Sequence, residues 1–85
     1  IQIPDNTYIS KSLFTKNATK LTLDNGKEIT ISNADNFNFN VGGNITTGDP
    51  GVDLSYEEFA SAFGVEDVLS LNSSANGIIT DQYII

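Results

Sequence analysis

The sequence predicts a small, β-rich α+β domain, and three patterns carry that expectation. Thr19 to Ile31 reads as a hairpin, two strand-like runs flanking Asp24-Asn25-Gly26. Phe37-Asn-Phe-Asn-Val41 alternates strictly between apolar and polar, the period of a half-buried strand. One helix start is marked, where Ser55 precedes Glu58 by three residues and an apolar run follows to Phe63. The expected architecture is one small antiparallel sheet, built from the hairpin 19–31 with strands near 37–41 and 78–85. One or two short helices are expected across 55–71. With 85 residues, 39% of them hydrophobic, the chain suits one domain, 1–85, around one core.

At the amino end, Ile1 to Pro4 alternates and ends at a proline, which suits a short edge strand. Tyr8 to Phe14 is a second extended candidate, with Ile9, Leu13 and Phe14 apolar. Residues 1–14 together read as an extended arm. The hairpin register follows from the side-chain period. A two-residue loop at Asn25-Gly26 puts the leucines and isoleucines on opposite faces. A three-residue loop, residues 24–26, pairs Leu21 with Ile29 and Thr19 with Ile31 and gives a single apolar face, with Gly26 in the left-handed position.

Phe37, Phe39 and Val41 are expected to share a face, and Gly42-Gly43 to end their strand. Thr46 to Asp53 reads as a polar loop with a turn at Asp49-Pro50-Gly51. Ser55 and Glu58 form a capping box, with Leu54 and Phe59 placed as a hydrophobic staple. Glu57 and Glu58 suit the positive end of the helix dipole. Tyr56, Phe59, Ala60 and Phe63 make the buried stripe, and Gly64 is the stop. Val65 to Leu71 fits either a second helical turn or the start of a strand. Asn72 to Gly77 reads as a loop and Ile78 to Ile85 as a closing strand.

The composition narrows function by residue supply. The chain has no histidine, cysteine or arginine. That leaves no imidazole base, no thiolate nucleophile and no guanidinium clamp for phosphate. Eleven acids against four lysines give a formal charge of −7, which argues against nucleic acid, since phosphate binding draws on Lys and Arg displacing counterions. Lys11, Lys16 and Lys20 fall in one stretch. A solvated face explains them; docking to an acidic neighbour in an assembly is the sharper alternative. No stretch of about 18 apolar residues exists to span a membrane. The first residue is Ile1 and methionine is absent, as expected of a processed or excised segment.

Carboxylates are the remaining chemical resource. Glu57 and Glu58 have a sufficient role at the helix start, and Ser10-Lys11-Ser12 lies in a strand, where neighbouring side chains point to opposite faces. No catalytic residue and no cofactor is therefore expected. Calcium is the one metal weighed, because it takes oxygen ligands. Asp49, Asp53, Glu57 and Glu58 are its candidates. Asn72 to Tyr83 resembles an EF-hand loop, with Gly77 at the sixth position but Tyr83 where a bidentate glutamate is needed. Three N-x-S/T triplets begin at Asn17, Asn44 and Asn72.

Residues 55–85 carry a further pattern. It comprises Ser55-Tyr56, Phe59-Ala60, Phe63-Gly64-Val65, the run Glu66 to Asn72, Ile78, and Asp81-Gln82-Tyr83-Ile84. This resembles a LysM-type module, a βααβ fold whose family binds glycans containing N-acetylglucosamine. The chain departs from that pattern by a shorter link between Val65 and Glu66 and by Asp81 in place of glycine. The resemblance implies glycan contacts around Gly48-Asp49 and Asn72-Asn76.

The function expected from the residues themselves is a non-enzymatic structural or interaction module. It would decorate a larger assembly, as a virion decoration, cement or tail-associated subunit or as a bacterial surface-layer or adhesin domain. Its expected partners are other protein subunits, as an oligomer, on a virion or an extracellular surface. The expected contacts are the apolar chain ends, Ile1, Ile3, Ile84 and Ile85, and open strand edges. The alternative is the glycan-binding module.

Overall fold

A computed structural model describes residues 1–71 and 77–85. The fold is β-rich α+β, as the sequence predicts, but its strands divide between two small sheets. One is three-stranded, ordered β1 (Gln2–Pro4), β5 (Asn38–Gly43), β6 (Val52–Ser55). The other is five-stranded, with β4 (Glu28–Ser32), β3 (Ala18–Leu23), β2 (Tyr8–Phe14) and β7 (Ile78–Thr80) in order, and β8 (Tyr83–Ile84) also on β2. The strand expected near 37–41 thus leaves the hairpin's sheet. It pairs antiparallel with β6 and parallel with β1. The loop expected to run to Asp53 gives way to β6 at Val52.

The hairpin has the register that its apolar pattern requires. Leu21 faces Ile29, Thr19 faces Ile31, and Gly26 sits at φ +83° in the three-residue loop. Its apolar face is only partly covered: Leu21 is buried, whereas Ile29, on the edge strand, is 45% exposed.

Residues 1–14, read in the sequence as an arm, are folded into both sheets. Ile3 pairs with Val41, and β2 is the strand on which β3, β7 and β8 all assemble. A bulge makes that possible. Ile9 and Phe14 lie five residues apart, which puts them on opposite faces of a regular strand. The register shifts between Ile9 and Lys11, the inserted Ser10 restores both to the core face, and both are fully buried. The Ser10 hydroxyl donates toward the Thr22 and Leu23 carbonyls beside the bulge.

Helix α1 (Tyr56–Ala62) is short and closed at both ends. The Ser55 side chain accepts from the Glu58 amide and the Glu58 carboxylate accepts from the Ser55 amide. At the far end Gly64, at φ +92°, donates to the Ser61 carbonyl and Val65 donates to the Ala60 carbonyl, a Schellman closure. Residues 65–71 form neither a second α-helix nor a strand, but a single 3₁₀ turn at Val68–Ser70.

The helix fills the space between the sheets with aromatic rings. Phe59 stacks on Phe39 at 4.3 Å and lies 6.0 Å from Phe14, so one side chain bridges the two sheets. Phe63 touches Phe14 at 5.2 Å and Tyr83 at 4.5 Å. Phe37 does not join this core. It follows the 3₁₀ turn Ala34–Asn36, lies before β5 begins, and is 45% exposed. No described helix is long and apolar enough to cross a membrane.

Candidate functional site

The closing segment 78–85 is two strands rather than one, broken at Asp81-Gln82, and both pair with β2. Past the bulge, β2 turns Ser12 and Phe14 to the core and Lys11 and Leu13 outward. Lys20, Leu13 and Ile79 are then direct cross-strand neighbours on the outer face, and Ile84 pairs with Tyr8 at the opposite end of β2. Ile79 is 67% exposed and Ile84 55%. Ile78, on the same edge strand, is 40% exposed. Isoleucines therefore project from both faces of β7.

Three other edge strands carry charge or proline, while β8 (Tyr83–Ile84), like β7, carries neither. β1 ends in Pro4, β6 carries Asp53, and β4 carries Glu28, which pairs with Lys20 at 3.2 Å. Charged or proline-bearing edges resist pairing with other chains. The strand Ile78-Ile79-Thr80 has neither device.

Of the apolar chain-end residues, Ile84 is presented to solvent and Ile1 is partly so. Ile3 is buried in the core, because β1 lies against β5. Ile85 packs against the core, and its amide and carbonyl bond Thr7 and Asn6. Ile78 and Ile79 are the surface residues that the sequence reading missed. A closing strand was visible there, but the identity of its neighbour was not, and the neighbour decides that this strand is an edge.

The four calcium candidates do not converge. Asp49 accepts from the Gly51 amide within its own turn, and Asp53 accepts from the Asn40 side chain at 2.9 Å. Glu58 is held by the capping box; the Ser55 amide and hydroxyl together pull its carboxyl below the usual glutamate range. Glu57 lies on the solvent side of α1. Among the described residues no three carboxylates gather as a metal site. The EF-hand-like segment and the triplet at Asn72 lie partly or wholly outside the described residues, which omit 72–76.

Two grooves flank the fold. One, of about 700 Å³, runs between β1 and the β5–β6 loop and is lined by Pro4, Asn40, Asn44, Ile45, Asp49 and Pro50. The Asn44 side chain accepts from the Thr46 and Thr47 amides and fixes that loop, with Ile45 fully exposed at its tip. The second, of about 470 Å³, lies beside α1, with Leu54 and Ala62 among acidic neighbours Glu57, Glu58, Glu66 and Asp67.

No known protein family, curated protein or solved structure matches this chain. The surface chemistry alone therefore supports any functional reading.

Proposed function

We propose that this chain is a non-enzymatic interaction module, a subunit that docks into a larger protein assembly on a virion or a bacterial surface. Its contact is the β2–β7–β8 side of the five-stranded sheet. One observation carries the reading: Leu13 and Ile79 are paired on the outer face beside an uncharged edge strand, with Ile79 67% exposed. Burying such apolar surface supplies about 25 cal/mol per Å² before the costs of association. Edge pairing adds main-chain hydrogen bonds to that contact. The polyanionic remainder of the surface keeps the unassembled subunit soluble and away from nucleic acid.

The test replaces the resident chain in its native source by Ile79→Lys. The variant is expected to melt like the unaltered protein and to be lost from the particle or surface fraction. Retention at the unaltered level contradicts the reading.

A second reading, glycan binding, is favoured by one observation. Gly48 and Asp49, the loop implied by the LysM-type resemblance, line the groove of about 700 Å³ beside the amides Asn40 and Asn44. Sedimentation with insoluble peptidoglycan or chitin tests it. Depletion of the protein from solution supports glycan binding, and clean failure leaves the assembly reading alone.

A further inference from the structure

We infer that the docking partner of the outer sheet face is a second copy of this chain, held head-to-tail. The inference rests on the assembly reading above and names its partner. Three of the four lysines, Lys11, Lys16 and Lys20, lie on β2, β3 and the turn between them. Lys11 and Lys20 point from the same outer face as Leu13 and Ile79. An acidic protein thus places most of its positive charge around the paired Leu13 and Ile79, where Glu28 offsets Lys20 and Lys11 has no such partner among the described residues.

The complementary surface lies on the other side of the molecule. The buried stripe of α1 faces the cores of both sheets, so its solvent side looks away from the outer sheet face. There the groove of about 470 Å³ has apolar Leu54 and Ala62 beside Glu57, Glu66 and Asp67. No lysine pairs with these carboxylates within the chain; Lys20–Glu28 is the one ion pair among the described residues. Apolar residues flanked by Lys11 and Lys20 on one side match apolar residues flanked by acids on the other.

Charge also decides the symmetry. A two-fold contact through the sheet face brings the Lys11 of both copies into one interface whose one carboxylate, Glu28, is already paired with Lys20, and like charges within an interface oppose association. Sheet face against helix groove satisfies both surfaces. Such a heterologous contact leaves one of each surface free, so it extends to a ring or a filament.

Light scattering and sedimentation on the recombinant chain test this, using Ile79→Lys on one surface and Glu57→Lys on the other, so that the two altered surfaces repel each other as well. The unaltered chain is expected to gain mass with concentration at low salt and to lose that gain as salt rises. Each variant alone is expected to stay monomeric at concentrations where the unaltered chain associates. An equimolar mixture of the two is expected to form a one-to-one dimer and nothing larger, because each supplies the surface that the other lacks. A chain that stays monomeric throughout, variants that still associate, or a mixture that stays monomeric overturns the inference. If the inference fails while Ile79→Lys still releases the protein from its native assembly, the assembly reading stands with a different partner.

Discussion

The Tyr56 hydroxyl donates to the carbonyl of Thr15, 41 residues earlier, at 2.6 Å. It also lies 2.9 Å from the Ala18 carbonyl, so the first residue of the helix closes the turn between β2 and β3. The ring is 1% exposed and lies against both Phe14 and Phe39. One side chain therefore ties α1 to both sheets.

Tyr56→Phe keeps the ring and removes that tie. It is expected to cost about 1–2 kcal/mol, since it leaves a carbonyl without its partner. In a domain of this size each kcal/mol lowers Tm by roughly 4–8 °C. Burial, reinforced by Asp35 and opposed by the hydrogen bond to Thr15, pushes the Tyr56 pKa up to about 12. Between about pH 10, where an unfolded tyrosine ionises, and pH 12 the folded chain holds more protons, so stability falls as pH rises. The denaturation midpoint across that range is expected to fall more steeply with pH for the unaltered chain than for the phenylalanine variant.

The capping box makes the opposite prediction in acid. Glu58 has its pKa lowered by the Ser55 amide and hydroxyl, so its contribution is present above the ordinary glutamate pKa. That contribution is lost as pH falls through the depressed value. Ser55→Ala removes the cap, at about 1 kcal/mol. Carboxyl-carbon NMR titration of that variant is expected to show Glu58 moving back toward the ordinary range.

Gly51 and Gly26 separate backbone strain from crowding. Both have positive φ, +72° and +83°. A Cβ on Gly51 meets the Val41 carbonyl at 2.7 Å and the Gly43 amide at 2.8 Å, whereas one on Gly26 meets nothing within 4 Å. Gly26→Ala is expected to cost about 1–2 kcal/mol from the left-handed conformation alone. Gly51→Ala is expected to cost clearly more and to shift amide resonances along Asn40–Gly43. Equal losses in chemical denaturation contradict that distinction.

Ser12 and Thr80 face each other across β2 and β7, and their buried hydroxyls have no hydrogen-bond partner among the described residues. Replacing both polar groups by apolar ones of similar shape is nearly neutral or stabilising when neither is bonded. Ser12→Ala with Thr80→Val is therefore expected to leave stability unchanged or raise it by about 1 kcal/mol, read from the denaturation midpoint.

Local chemistry made part of this fold legible. The Asp24-Asn25-Gly26 loop fixed the hairpin register, because only one choice gives a single apolar face. Ser55, Glu58 and Gly64 announced both ends of α1, since capping depends on residues within one turn. The failures were of pairing between distant segments. Nothing near Phe37–Val41 states that its neighbours are Gln2–Pro4 and Val52–Ser55. The bulge at Ser10 hides the facing of Ile9, because a regular period of two assigns that residue to the wrong side. The exposed pair Ile78 and Ile79 reads as core in a sequence, since an edge is defined by the absence of a neighbouring strand.

The central claim is that the β2–β7–β8 side docks in the assembly. Hydrogen exchange with mass spectrometry, comparing the protein within its native assembly and as the isolated chain, tests it most directly. The account predicts slower exchange in the assembly for segments 8–14 and 77–85. Unchanged exchange there, with new protection confined to residues 40–50 around the polar groove, contradicts it.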